Sequence, residues 1–348
     1  MKKIALIFGL LPFASFAESD AQIALNETID IVRTHCSGVS ARMEKIKKMA
    51  GIGTAVNVIG TAAGAGGVAS GVVKYYTDVD MAKNMVEKAG VDALINSLKE
   101  RELSAENQAL LNNVIEIDPD IEKNLSALLD ELKAQETLEA KQEILENRSN
   151  ELQNQINTKQ DKSTTLGNVR TGLFVADTAT NVAGAIVSSN TVADDDFVEQ
   201  IKKCTSSIDL LRNARLRVKV EDGDVADIKT MDLSQKILDK CSEYEYVNIQ
   251  QINNLAKGAM VSNSIGAVTG SAATITSVLG NNKKLSDEIK SGDAKNVVEY
   301  NRMNVASNVL GGVTTAASLT GTALNASQIK TAKQILNISS ECEEVLKW

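Results

Sequence analysis

Residues Gly258–Asn282 read GAMVSNSIGAVTGSAATITSVLGNN, a run of 25 residues without a charge. Small residues recur at every fourth position of this run, at Gly258, Ser262, Gly266, Gly270 and Thr274. Residues four apart share one face of an α-helix. The pattern therefore predicts a helix with one nearly flat face, against which a second helix can pack very closely.

Three further stretches share this composition, and we call the four together the small-residue segments. The first is Met49–Val73, the second is Thr171–Ala193, which Asp177 interrupts, the third is Gly258–Asn282, and the fourth is Asn304–Ile329. Glycine weakens a helix by up to about 1 kcal/mol relative to alanine, so close helix packing is expected to offset that loss. The small residues predicted to make these contacts are Gly60, Gly64, Gly67, Gly71, Gly172, Ala176, Gly184, Gly258, Gly266, Gly270, Gly311, Gly312 and Gly321.

The four cysteines repeat in step with the segments. Cys36 and Cys241 precede the first and third segments, whereas Cys204 and Cys342 follow the second and fourth. Folding each pair of segments into an antiparallel hairpin brings the cysteines to one level and favours the disulfides Cys36–Cys204 and Cys241–Cys342. If the two hairpins pack together, the pairing of Cys204 with Cys241 and of Cys36 with Cys342 stays possible.

The absence of alternating β-branched patterns predicts an all-α fold. Pro119 is the only proline after residue 17, which suits long helices. We expect an elongated antiparallel bundle built from two Gly/Ala-rich helical hairpins, with a helical insert in the first. The predicted organisation is a signal peptide at 1–17, the first helix of hairpin 1 at 18–77, the insert at 78–164, the second helix at 165–217, a connection at 218–232 and hairpin 2 at 233–348.

A heptad stripe precedes the first segment, with apolar residues spaced three and four apart from Ile29 to Ile46. It predicts that Asp20–Val73 is one long helix or two nearly collinear helices. The insert is richer in charge: short helices are predicted over Asp92–Glu102 and Ala105–Ile115, and a long helix with a weak heptad is predicted from Asp118-Pro119. This insert is either a solvated arm, as a helical hairpin or coiled coil, or a set of helices packed on the bundle.

The amino terminus has the layout of a secretory signal peptide. Lys2 and Lys3 precede an apolar run, and small residues end at Ala17, where cleavage is expected; an uncleaved anchor is the alternative. Removing the two lysines takes the formal net charge from -8 to -10. An acidic chain with 3% aromatic residues is a poor candidate for nucleic-acid binding. Four cysteines in an exported chain suggest disulfides, so we predict a periplasmic or secreted protein.

The usual signatures of catalysis are missing from the sequence. His35 is the single histidine, which excludes sites built from several histidines. No CxxC or GxxxxGK[ST] motif occurs, and the acidic turn around Asp222-Gly223-Asp224 lacks the spacing of a calcium-binding loop. We therefore predict no catalytic, cofactor-binding or metal-ligating residues and no cofactor, and an enzyme is the least favoured class.

Whether the segments enter a membrane decides between the two remaining classes. Their length and their small-residue repeats suit membrane helices. The third segment, however, has only seven strongly hydrophobic residues against ten Ser, Thr and Asn residues, and Asp177 interrupts the second. The sequence thus favours an exported, non-enzymatic structural or interaction protein acting through protein–protein contacts, with itself or another protein. The alternative is a membrane-active protein, similar to helical pore-formers, whose hairpins insert into a bilayer.

Overall fold

A computed structural model describes residues 19–100, 119–223, 227–282 and 294–347. Every element in these ranges is helical, which confirms the all-α class. The predicted signal peptide at 1–17 and the predicted helix Ala105–Ile115 lie outside the described residues. The helices are α1 (Asp20–Cys36), α2 (Val39–Glu100), α3 (Pro119–Lys133), α4 (Leu138–Ser189), α5 (Asp195–Glu221), α6 (Ile228–Cys241), a 3₁₀ turn (Ser242–Tyr246), α7 (Ile249–Asn282) and α8 (Ala294–Leu346).

Of the two alternatives for Asp20–Val73, the structure has two helices, which separate at Gly38, whose φ of 79° lies in the left-handed region that glycine enters most easily. Helix boundaries differ from the sequence expectation at two other places. The helix predicted to start at Asp92 is instead the end of α2, which runs unbroken to Glu100. The long helix predicted from Pro119 ends at Lys133, and α4 restarts behind Thr137, whose side chain accepts a hydrogen bond from the Ala140 N–H.

The chain forms two compact units. The described residues of the first, which we call the disulfide unit, fall within Met1–Lys48, Val192–Asn254 and Gln328–Trp348. Those of the second, the small-residue unit, fall within Met49–Thr191 and Leu255–Ser327. Each of the two hairpins predicted from the sequence contributes to both units, so the compact units do not coincide with the hairpins.

The disulfide unit has an ordinary apolar core. α1 packs along α5, and side chains such as Leu25, Phe197 and Leu211 are almost fully buried. Cys36 bonds Cys204 and Cys241 bonds Cys342, the two pairings that the sequence favours, with Cα–Cα distances of 4.8 and 4.7 Å. All four cysteines are completely buried in this core.

The small-residue unit contains two parts. The carboxyl-terminal part of α2, with α3 and the amino-terminal part of α4, forms the arm around a cluster of aliphatic side chains that includes Leu94, Leu125 and Leu145. The remainder is a four-helix bundle of α2, α4, α7 and α8 over the small-residue segments, and we call it the small-residue bundle. Its neighbouring helices run antiparallel, because Gly60 of α2 lies against Thr180 of α4 whereas Gly67 lies against Phe174.

Candidate functional site

The small-residue bundle buries residues at alternating spacings of three and four. This is the 3.5-residue repeat of a coiled coil, in which two positions of each heptad face the bundle axis. The buried series are Gly53, Asn57, Gly60, Gly64, Gly67 and Gly71 in α2; Arg170, Phe174, Asp177, Asn181, Gly184 and Ser188 in α4; Asn263, Gly266, Gly270, Ala273, Ser277 and Gly280 in α7; and Ser307, Gly311, Thr314, Ser318, Gly321 and Asn325 in α8.

This repeat separates the small residues that the sequence grouped together. Gly172 and Gly312 lie on the outer surface with open space around them, and Ala176 is exposed. Gly258 is half-buried against Leu324. The inward-facing members are Gly60, Gly64, Gly67, Gly71, Gly184, Gly266, Gly270, Gly311 and Gly321. A spacing of four drifts away from a 3.5-residue repeat, so a row such as Gly172–Ala176 leaves the axis.

The inward glycines make room for larger side chains from the facing helices. Asn57 and Asn263 are almost completely buried between Gly184 and Gly321. A Cβ at Gly321 would stand 2.5 Å from both Asn263 Oδ1 and Asn57 Nδ2, so a side chain there would require both amides to shift. The bundle is therefore packed by amide groups seated in glycine notches rather than by aliphatic side chains.

Polar groups continue along the bundle axis. Asn181 Nδ2 donates to Asp177 Oδ1 and to Ser318 Oγ, each at 2.9 Å, and Ser318 Oγ is 3.1 Å from Asp177 Oδ1. Arg170 is fully buried, and its Nε donates to Ser277 Oγ at 2.9 Å. The interior of the small-residue bundle is consequently polar over most of its described length.

A buried ion pair lies where the bundle meets the arm. Lys74 Nζ is 2.7 Å from Asp78 Oδ2 and 2.9 Å from Ser163 Oγ, and both charged side chains are at most 2% exposed. Ser163 also donates to Asp78 Oδ1, and Asn304 Nδ2 donates to Asp78 Oδ2 at 3.4 Å. This cluster ties α2, α4 and α8 together through groups that are costly to bury unless all are partnered.

The outer surface of the bundle has the opposite character. Among the described side chains of the four segments, none that is exposed carries a charge. Val268 is 71% exposed, and Ile59 and Val309 are each 61% exposed. The exposed large aliphatic residues are Ile52, Val58, Ile59, Val72, Val73, Val175, Val182, Ile186, Val261, Ile265, Val268, Ile275, Val278, Leu279, Val305, Val309, Val313 and Leu319. All four helices contribute, so the apolar surface surrounds the bundle.

Exposed hydroxyl groups on this surface are bonded to their own helix. Ser264 donates to the Met260 carbonyl, and Ser271 donates to the Ala267 carbonyl, each at 2.8 Å. Thr320 donates to the carbonyl four residues earlier at 2.9 Å. A hydroxyl whose hydrogen is taken up in this way needs no water partner, so these serines and threonines do not interrupt the apolar surface.

Hydropathy averaged along a helix does not distinguish the polar inner face from the apolar outer face. Among the described residues, one helical stretch, Asp20–Lys99, passes a test of length and composition for crossing a membrane, with a mean hydropathy of 1.4 over its best window. Such an average combines both faces of a helix. In α7 it combines the outward Val261, Ile265 and Val268 with the inward Asn263 and Gly266, so an apolar outer face is lost in the mean.

No family model, curated protein or solved structure matches this chain.

The residues that carry the candidate site were largely missed by sequence reasoning. The repeat of four presents Asp177 only as an interruption and does not include Asn57, Asn263 or Arg170. A partial signal is present in the second segment, where Asp177, Asn181 and Ser188 follow Arg170 at spacings of seven, four and seven, the spacings of one 3.5-residue repeat. His35 is half-buried next to the Cys36 disulfide, and Asp222 caps α5, so neither belongs to the bundle.

Proposed function

We propose that this chain is an exported, non-enzymatic helical protein whose small-residue bundle resides in a lipid bilayer. The observation that carries the proposal is the inverted polarity of the bundle, with amides, a carboxylate and a guanidinium inside and an uncharged apolar surface outside. A segment of 25 residues is about 37 Å long as a helix, which exceeds the roughly 30 Å of a bilayer's hydrocarbon core.

Lipid explains the outer surface better than water or a protein partner does. Soluble proteins rarely expose a continuous apolar patch of more than a few hundred Å². A second copy of the chain would cover one or two sides of the bundle, whereas aliphatic side chains face outward from all four helices. The inverted polarity therefore favours the membrane class over the soluble interaction protein that composition suggested.

Protein contacts remain part of the proposal and are assigned to the arm. The arm has its own aliphatic cluster, and its surface is charged, with Arg148 bonding Glu87 at 2.5 Å and Glu151 at 2.8 Å. An open groove of about 480 Å³ lies between α3 and α4 beside Arg148. We propose that a protein partner of unknown identity, or a second copy, docks on the arm; the acidic chain argues against nucleic acid.

A charge placed on the outer surface tests the bilayer assignment. An aspartate at mid-bilayer costs about 3 kcal/mol, whereas a new charge on a water-exposed surface changes stability by less than about 0.5 kcal/mol. We expect Val268→Asp to lower the fraction of purified full chain that stays with phosphatidylcholine vesicles after alkaline carbonate extraction. The matched control is Val220→Asp, because Val220 is 82% exposed in the disulfide unit.

The unmodified chain provides the decisive comparison. Full retention by the vesicles, with loss only for Val268→Asp, would support the proposal. A wild-type chain that is monodisperse in buffer without detergent and leaves the vesicles on extraction would contradict it and return the chain to the soluble class. Because all four cysteines are in disulfides, a cysteine introduced at 268 can also carry a polarity-sensitive dye, with one at 220 as reference.

A further inference from the structure

Asp177 is a buried carboxylate with half of its hydrogen-bonding capacity unused. It is completely buried and faces Gly60 and Gly64, which lie near the middle of the first small-residue segment. Its Oδ1 accepts from Asn181 and Ser318, but its Oδ2 has no hydrogen-bond partner. Burying a charged oxygen without a partner is strongly unfavourable, so a ligand is expected at Oδ2.

Further oxygen atoms from two helices converge beside this carboxylate. A Cβ at Gly60 would lie 3.1 Å from Asp177 Oδ1 and 3.2 Å from Ser318 Oγ, and it would also contact Thr180 Oγ1. A Cβ at Gly64 would contact both Asp177 Oδ2 and Thr315 Oγ1. The two glycines of α2 thus face a set of oxygens contributed by α4 and α8.

Ser318 Oγ donates its hydrogen to Asp177 Oδ1, whereas the two threonine oxygens of this set present only lone pairs to the carboxylate. The hydroxyls of Thr180 and Thr315 donate to carbonyls of their own helices, each at 2.8 Å. Asn181 directs its NH₂ group to Asp177 and Ser318, whereas its Oδ1 faces Gly266 of α7 and lies outside this set of oxygens. A cluster of acceptors around a carboxylate attracts a cation.

No side chain of the described bundle supplies that positive charge. α2, α7 and α8 carry no charged residue within their small-residue segments. Arg170 lies about 10 Å away along α4 and bonds Ser277 and Asn281. The buried ring of Phe174, which contacts Gly67 and Gly311, separates it from Asp177.

We propose that the small-residue bundle binds one monovalent alkali cation at Asp177, with Na⁺ as the probe. Hard cations prefer oxygen ligands, and the single negative charge matches a single positive one. The ligands would be the carboxylate of Asp177 and the hydroxyl oxygens of Thr180, Thr315 and Ser318. The cation site rests on the proposed function in one respect only: if the bundle resides in a bilayer, the cation lies at mid-depth of that bilayer.

Thermal unfolding of the full chain in detergent micelles tests the site. The chain is melted in NaCl and in choline chloride at equal ionic strength, with LiCl and KCl as further arms. A ligand that binds only the folded state raises its midpoint, and we expect a rise of roughly 3 °C or more in NaCl over choline chloride. Asp177→Asn, which keeps the shape of the side chain, should abolish the rise, whereas Asp161→Asn on the exposed surface of α4 should keep it.

Two results would overturn the cation site. One is an equal midpoint in sodium and choline for the wild type. The other is a midpoint that responds to pH alone and loses that response in Asp177→Asn, since the carboxylate would then take a proton.

If Asp177→Asn does not fold, Thr315→Val retains the carboxylate and removes one ligand. We expect it to raise the half-saturating sodium concentration about tenfold, and an unchanged value would count against the site. Sodium dependence in micelles is independent of the vesicle assay, so each proposal can fail alone.

Discussion

Single glycines of α2 have different surroundings although they share one helix. Gly67 faces the ring of Phe174, a side chain that is completely buried and also contacts Gly311. Gly51, four turns earlier in the same helix, has no atom within 4 Å of the position of a Cβ. The same substitution at these two sites should therefore change stability in opposite directions.

We expect Gly67→Ala to lower the free energy of unfolding by about 1–3 kcal/mol, because a Cβ would lie 2.5 Å from the Phe174 ring. We expect Gly51→Ala to raise it by about 0.5–1 kcal/mol through helix propensity. Denaturant unfolding of both variants under one solvent condition measures the two values. Equal effects at the two sites would show that Phe174 is not seated against Gly67.

Amide side chains are the residues that best fit this packing. Asn57 and Asn263 fill notches opposite glycine, and their volume suits a space that an aliphatic residue would also fill. Their polarity distinguishes them from aliphatic residues. An amide in a bundle core is unfavourable unless it forms hydrogen bonds or fixes the register of the helices. The bundle thus uses polar residues where a soluble coiled coil uses leucine.

The helices that form the small-residue bundle are held together by different forces at different levels. Along the segments the contacts are close approaches between small residues and hydrogen bonds such as that of Thr269 with Thr314 at 2.9 Å. At the boundary with the arm the contact is the buried Lys74–Asp78 pair. Removing one partner of a buried ion pair destabilises the fold more than replacing both partners with apolar residues.

We expect Lys74→Met to destabilise the chain by roughly 3–5 kcal/mol, because Asp78 then stays buried without its cation. Adding Asp78→Leu should recover much of that loss, since no uncompensated charge remains. A double-mutant cycle built on unfolding free energies measures the coupling. An additive cycle would mean that the pair contributes nothing beyond its two separate environments.

The molecule as a whole combines two units of opposite construction. The disulfide unit buries aliphatic and aromatic side chains together with both disulfides. The small-residue bundle buries amides and hydroxyls and exposes aliphatic groups. Disulfides are typical of oxidising compartments, which agrees with the export that the amino-terminal sequence predicts.

Complete burial of the four cysteines gives a test at this scale. We expect dithiothreitol at neutral pH to leave both disulfides of the folded chain intact and to reduce them once denaturant unfolds the disulfide unit. Joint removal by Cys36→Ala and Cys204→Ala should lower stability by about 5 kcal/mol in the chain-entropy model, since the bond closes a loop of 168 residues. Non-reducing mass mapping follows the bonds, and rapid reduction of the folded chain would contradict their burial.

Several features could be predicted from the sequence because they depend on composition and local spacing. The helical class follows from the lack of strand patterns and prolines, and the symmetric placement of Cys36, Cys204, Cys241 and Cys342 favoured the pairing that is formed. The small-residue segments were recognised because Gly, Ala, Ser and Thr dominate them. Each of these properties can be read from the amino-acid sequence without knowing how the helices pack.

Which face of each segment turns inward was decided only by the tertiary structure. The repeat of four predicted contacts at Gly172, Ala176 and Gly184. The bundle buries only Gly184 of these three, together with Asp177 and Asn181 at coiled-coil spacing. The physical reason is that a small residue fits a helix contact equally well on either side of a helix. The neighbouring helices decide the orientation, because they place a glycine opposite each buried asparagine of the segments and no residue opposite the exposed valines. The polar face of each segment therefore points into the bundle and the apolar face points outward.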